Sequence, residues 1–333
     1  MQCGGAHVAP SVGFFTKTLL LHHDFLILFE YNSGVASNSK PIFISLAAAT
    51  SLAMFGGNVW MNEHRPPMLE IFIFALKSGQ ATLVRTPDDE RILIDGGPNA
   101  EIVRKISSVL PFYSRRIDAI VATNTDGKNV SGLIDIIERY HVGRVYIPAV
   151  TLNNLGISTS TDPAYESFID SVKEKGVESI ELSSGNIVSS DSEKKFQIEA
   201  VFPVTNDLFE YSKASGPQVI LKVSYGNHSL LLLGDATVKV QKYIASSIGE
   251  ADIVAVSHSA ATENMARDLI SQAKPKYLVY SKTATKSKAV KSQSKKPAED
   301  PLAGILIGNR FNLKDLGMVK ITMNGESLEI QGK

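Results

Sequence analysis

From residue 68 onward, hydrophobic and polar positions fall into short blocks that switch between a two-residue and a 3.6-residue period. Leu69–Leu76 (LEIFIFAL), Ala81–Thr86 and Arg91–Asp95 are rich in β-branched and aromatic residues and predict strands. Pro87-Asp88-Asp89 predicts the turn that joins the last two into a hairpin. In Glu101–Leu110 the apolar residues Ile102, Val103, Ile106, Val109 and Leu110 share one helical face. Asp118–Thr123 predicts a strand, then a polar loop leads into a helix whose apolar face is Val130, Leu133, Ile134 and Ile137. Gly143–Pro148 is the next expected strand, and a helix is expected near Ala164–Lys175.

The second half has the same style without repeating the sequence. Phe196–Phe202 reads as a strand, and two more strands flank Gly226-Asn227, a two-residue hairpin turn. Helices are predicted at Thr237–Ser247 and Glu263–Ala273, interleaved with strands at Asp252–Ser257 and Lys276–Ser281. Ala303–Gly308 (AGILIG) is a further apolar run, and VKITM and ESLEI form a hairpin closed by Asn324-Gly325. Two series of hairpin strands followed by alternating helices and strands predict an α/β (α+β) fold with two sheets face to face and helices outside, a four-layer αββα sandwich.

The pattern before residue 68 is different. Ile42–Met61 runs twenty residues without a charge, about the length needed to span a hydrocarbon core of ~30 Å. Residues 41–62 are therefore expected to form a single transmembrane helix, with a buried helix of the body and a cleaved leader as the alternatives. Lys17 and Lys40 before the span and Arg65 after it favour a cytoplasmic N-terminus, a single-pass membrane location and an extracytoplasmic body. Residues 1–40 show no well-defined organisation, and the body is expected over 68–331.

Composition narrows the chemistry. The chain has 333 residues, 44% hydrophobic and 20% charged, with 34 basic and 34 acidic side chains, so the whole molecule has no net attraction for nucleic acid or acidic lipid. The balance is uneven, because Lys282–Lys296 holds six lysines and no acid and leaves a mildly acidic remainder. Residues 282–301 have the composition of a solvated insertion, in which Lys286, Lys288, Lys291, Lys295 and Lys296 are candidate contacts to nucleic-acid phosphates. The one cysteine, Cys3, excludes an internal disulfide framework and any cysteine-cluster zinc site. Metal chemistry would fall to His, Asp and Glu.

The order of short motifs in the body resembles the metallo-β-lactamase fold, and within it the extracytoplasmic domain of ComEC-type competence proteins, membrane factors of DNA uptake. The resemblance covers residues 68–331 and is carried by ILIDGGPN (92–99), IDAIVATNTDGKNVSGLIDIIERYHVGRVYIP (117–148), SLLLLGDA (229–236), VAVSHSA (254–260) and KPKYLVYS (274–281). It implies one or two divalent ions, usually zinc, that lower the pKa of a bound water and polarise a phosphodiester or carbonyl. It also implies a metal loop of the form Thr-His-x-Asp/His-x-Asp-His after a strand. Here that loop reads Thr123-Asn124-Thr125-Asp126-Gly127-Lys128-Asn129. Asn124 and Asn129 stand at expected histidine positions, and Lys128 stands at an expected carboxylate position.

What remains of the implied ligand set is Asp126, Asp235 and His258, against the three or four protein ligands a zinc site needs. The expectation is a membrane-attached domain that has lost its catalytic metal, needs no cofactor and binds DNA or a membrane-protein partner as a scaffold. The alternative is an active phosphodiesterase or nuclease using Asp126, Asp235 and His258 with Mg²⁺, Mn²⁺ or zinc. A third possibility is an electrostatic DNA-holding module. Read as structural groups, Asp126 caps a turn, Asp235 is a buried acid at a strand end, and Asp95 fixes a neighbouring loop through backbone N–H groups. Two carboxylates left without an ion would repel each other, so the Lys128 amine is expected near Asp126 or Asp235, the alternative being an exposed loop lysine.

Overall fold

Alternation along the first strand already divides the molecule into layers. In the computed structural model, which describes residues 68–111, 113–149, 162–193, 195–204, 217–257, 265–281 and 309–333, strand β1 is Leu69–Ala75. Its Leu69, Ile71 and Ile73 enter a core formed between two sheets. Phe72 and Phe74, on the opposite face, enter a second core shared with helices. That is the expected consequence of a two-residue side-chain period in a strand buried on both sides.

The strands are β2 Gln80–Arg85, β3 Arg91–Ile94, β4 Arg116–Val121, β5 His141–Pro148, β6 Glu178–Leu182, β7 Ile187–Ser190, β8 Phe196–Phe202, β9 Ile220–Tyr225, β10 His228–Leu232, β11 Ile253–Ala255, β12 Tyr277–Tyr280, β13 Arg310–Asn312, β14 Met318–Met323 and β15 Leu328–Gly332. The helices are α1 Glu101–Ser107, α2 Gly127–Arg139, α3 Pro163–Glu174, α4 Val238–Ile244, α5 Arg267–Ala273 and the short α6 Leu313–Leu316. An eight-stranded sheet runs β15-β14-β1-β2-β3-β4-β5-β6, and a seven-stranded sheet runs β13-β12-β11-β10-β9-β8-β7.

Three cores account for four layers. The central one holds Ile92, Ile94, Ala119 and Val121 from the first sheet against Ile198, Ala200, Leu221, Val223, Leu230 and Ile253 from the second. On the outer face of the first sheet, α1, α2 and α3 bury Ile106, Leu133 and Phe168. On the outer face of the second, α4 and α5 bury Val240, Ile244 and Leu269. At about 25 cal/mol per Å² of apolar surface, these buried faces supply the main driving force for folding. The αββα sandwich expected from the sequence is therefore present, within a unit spanning Pro66–Lys333.

Several details differ from the sequence expectation. The C-terminal hairpin, for which the sequence pattern named no sheet, belongs to the first one. Strand β14 pairs antiparallel with β1 from Leu69↔Met323 to Phe74↔Met318, so the end of the chain completes the first sheet. Its connection spans residues 324–327, with the side chain of Asn324 accepting from the backbone of Glu326 and Ser327 at 3.0 and 2.7 Å. Strands β6, β7 and β13 were not anticipated. All three are short, two of them, β7 and β13, are sheet edges of the second sheet, and β6 is an edge of the first. Half-exposed edges lack the clean apolar alternation that marks a central strand.

The two sheets are also linked by a buried hydrogen bond and by a contact between two of their turns. The Tyr146 hydroxyl in β5 donates to the carbonyl of Val188 in β7 at 3.1 Å. Gly226, in the β9–β10 turn, lies against Gly325, and a Cβ built there would come 2.1 Å from the Gly325 carbonyl oxygen. Only glycine permits that approach.

Residues 1–67, which include the expected membrane span at 41–62, lie outside the described residues, as do Ala303–Gly308 and the insertion at 282–301. Among the described residues no helix is long and apolar enough to cross a membrane.

Candidate functional site

Strands β3 and β4 are parallel neighbours in one sheet, and β10 and β11 are parallel neighbours in the other. Loops leaving the carboxyl ends of parallel strands are where α/β folds gather functional groups. Asp95 follows β3, Asn124 and Asp126 follow β4, and Asp235 follows β10. The residues singled out from the sequence thus come from loops on both sheets.

The β4–α2 loop is built by short side chains that satisfy the backbone. Asn124 Oδ1 accepts from the Asp126 N–H at 3.0 Å. Asp126 is the N-cap of α2, and its Oδ1 accepts from the Lys128 N–H at 3.0 Å. The Gly127 N–H donates to Asp162 Oδ2 at 2.9 Å, and Asn129 and Val130 donate to the Asp126 carbonyl at 2.9 and 3.2 Å. All four first-turn amides of α2 are therefore engaged within the protein. A helix N-terminus whose N–H groups are already satisfied does not offer them to a phosphate or an oxyanion.

The capping geometry places Lys128 over the cleft. Its Nζ lies 3.0 Å from Asp126 Oδ2 and 3.3 Å from Asp235 Oδ2. The Asp235 side chain is only 10% exposed, against 47% for Asp126, so the Asp235 arm carries more of the interaction. Asn129 Nδ2 donates to the same Asp235 oxygen at 3.4 Å. Burial works against the charge on Lys128, but Asp235 and Asp126 more than offset it and hold the ammonium pKa above the ordinary lysine value. The structure thus brings together Asp126, Lys128, Asn129 and Asp235, with Asn124 holding the loop.

Asp95 lies behind this cluster. Its Oδ1 accepts from the Thr123 N–H at 2.8 Å and its Oδ2 from the Thr123 hydroxyl at 2.7 Å, which ties the β3 end to the β4 end. Its backbone is in the left-handed region at φ 58°, where asparagine and aspartate are tolerated better than most residues. Burial pushes its carboxyl up to about 7; the two bonds from Thr123 oppose that rise, and the negative charge of Asp235 adds to it. Because both oxygens are held by Thr123 and the residue is 6% exposed, it acts as a fixing group for the loop rather than as an accessible acid.

Two contributors escaped the sequence. Asp162 caps α3 through Ala164 N–H at 2.9 Å and also receives the Gly127 N–H, and these two backbone bonds hold its carboxyl below the usual range. Asp162-Pro163 is a helix-start signal, but its reach to α2 is a tertiary contact with no local signature. Gln218 pairs as a bridge with Asn124 and donates to the Asp235 carbonyl at 3.4 Å.

A zinc or other divalent ion does not fit the described part of this cleft. Asn129 turns its amide N–H₂ toward Asp235, and an ammonium sits between the two carboxylates where a cation would have to lie. Among the described residues no group of three or more His, Cys, Asp or Glu side chains is placed to hold a metal. His258 and the candidate nucleic-acid contacts Lys286, Lys288, Lys291, Lys295 and Lys296 lie outside the described residues.

No protein-family model matches the chain, and no curated protein matches it. Solved structures with partial likeness include a variant of CmlA β-hydroxylase, 14% identical with a TM-score of 0.43, covering 65% of this chain and 46% of that one. The short form of human tRNase Z is 14% identical with a TM-score of 0.42 and covers 63% of this chain and 91% of its own. The Rm3 metallo-β-lactamase is 12% identical with a TM-score of 0.39 and covers 58% and 77%. The architecture described above rests on the chain's own strand order and cores.

Proposed function

We propose that this chain is a membrane-attached domain of metallo-β-lactamase type and ComEC-like ancestry that performs no hydrolysis and serves as a scaffold or binding module linked to DNA uptake. The observation that carries this is the Lys128 ammonium held 3.0 Å from Asp126 and 3.3 Å from Asp235. Metal-assisted hydrolysis needs a Lewis acid to generate hydroxide near neutral pH. An ammonium has only donors and no open coordination position, so it neutralises the carboxylates without activating water. The satisfied first turn of α2 removes the other simple means of stabilising an oxyanion in this loop.

The membrane attachment is supported by the uncharged run Ile42–Met61 and the ancestry by the order of the five motifs. The reading is tested on the full chain purified in detergent after exposure to Zn²⁺, Mg²⁺ and Mn²⁺. Bound metal by mass spectrometry and turnover of a phosphodiester reporter are the two readouts. The expected result is metal well below one ion per chain and no turnover that a chelator stops. Stoichiometric metal, with turnover lost both to chelator and in Asp235→Ala, would establish an active hydrolase instead.

A further inference from the structure

We propose that the outer edge of β15 is a self-association surface, on which a second copy of this chain pairs antiparallel about a two-fold axis at Gln331. Among the described residues β15 closes one side of the first sheet, with β14 as its neighbour. Lys333 exchanges both backbone bonds with Met318, at 2.9 and 3.1 Å, and the Asn324 N–H donates to the Ser327 carbonyl at 3.2 Å. Such bonded pairs alternate along an antiparallel ladder, so Ser327, Glu329, Gln331 and Lys333 turn their backbone groups toward β14. Leu328, Ile330 and Gly332 therefore aim theirs away from the sheet.

Two sheets have four edges, and the other three are guarded. Strand β6 carries Glu178 and Glu181 and no base, β7 changes register against β8 between Ile187 and Ser189, and β13 has three residues. Like charge, irregularity and shortness each discourage pairing with another chain. Strand β15 runs five residues in regular register with β14, and its charges are of both signs, Glu329 and the adjoining Lys333. Both side chains are exposed on one face, and neither has an opposite charge within ion-pair reach among the described residues. Glu329 Oε1 does accept from Gln331 Nε2 at 2.7 Å.

An antiparallel copy must bring Leu328, Ile330 and Gly332 opposite one another. Centred on Gln331, the pairing lets Ile330 of each copy exchange backbone bonds with Gly332 of the other, and Glu329 stands opposite Lys333 in both directions. Centred on Ile330, Glu329 meets Gln331; centred on Glu329, it meets itself. Charge complementarity thus selects a second copy as the partner and fixes the register. Leu328 and Ile330 are only partly buried against the central core, so the same pairing covers apolar surface.

Analytical ultracentrifugation of the full chain in detergent tests this, comparing wild type, Glu329→Lys, Lys333→Glu and Glu329→Lys/Lys333→Glu. Wild type should dimerise reversibly. Each single exchange sets like charges opposite each other twice and should weaken the dimer about tenfold, and the double exchange should restore it. Register is tested in a Cys3→Ser background. Gln331→Cys should form a disulfide-linked dimer on oxidation, because its Cα atoms would lie about 4.5 Å apart across the axis. Arg104→Cys, at a side chain 80% exposed on α1, should not. A one-chain mass at every concentration overturns the proposal. So does a dimer that the single exchanges leave unchanged, that the double exchange fails to restore, or in which Gln331→Cys cross-links no faster than Arg104→Cys.

Discussion

Asp95 shows how a single side chain sets a pH dependence that its sequence context does not reveal. The folded protein keeps its proton up to about pH 7, while the unfolded chain releases it near 3.8, the ordinary value for an aspartate. Between those values the folded state binds more protons, so stability falls as pH rises, and the loss is complete above about 7. Asp95→Asn should lack this dependence. Measured by urea unfolding, the stability of Asp95→Asn relative to wild type should rise between about pH 4 and 7, by an amount on the order of 4 kcal/mol at most. A difference that stays flat across that range would show that Asp95 is ionised in the fold. The raised pKa could not be read from Ile92-Leu93-Ile94-Asp95-Gly96-Gly97, because it comes from burial in the folded protein. The loop-fixing role could be read, since an acid at a strand end before two glycines commonly receives backbone N–H groups. Lys128 was legible for a different reason. Charge alone requires a cation near two facing carboxylates, and the structure meets that requirement with both acids at once.

At the scale of elements, the ends of helices were easier to anticipate than the contacts between them. Asp126 before Gly127 and Asp162 before Pro163 are N-cap signals, and both side chains accept from the second residue beyond them. What α2 rests on was not legible. Gly132 lies in its buried face, and a Cβ there would stand 2.1 Å from the Gly96 carbonyl oxygen and 2.6 Å from that of Asn99. The same junction is pinned by Gly96 N–H to Asn129 carbonyl at 2.7 Å and Gly132 N–H to Gly97 carbonyl at 2.9 Å. The obstructing atoms are backbone and cannot rotate away. Gly132→Ala should therefore destabilise by about 3 kcal/mol in urea unfolding, despite the roughly 1 kcal/mol that alanine gains over glycine in a helix interior. A neutral or stabilising result would mean that the β3 loop can retreat from α2. The unanticipated strands β6, β7 and β13 show the limit of periodicity. An edge strand is defined by its neighbour's unpaired backbone as much as by its own side chains.

For the whole molecule, alternation was sufficient to give two sheets and outer helices, because each central strand must bury two faces against different partners. It was not sufficient to assign the last hairpin to the first sheet, a long-range pairing of β14 with β1. The consequence for function is that the carboxyl ends of β3, β4 and β10 converge on a cleft whose centre is a side-chain ammonium. The most direct measurement is a crystal structure of the protein soaked in Mn²⁺ or Zn²⁺, with anomalous scattering recorded at the metal's absorption edge. The account predicts Lys128 Nζ within ion-pair distance of both Asp126 and Asp235 and no anomalous peak between them. Lys128 turned to solvent with a metal peak between the two carboxylates would contradict it.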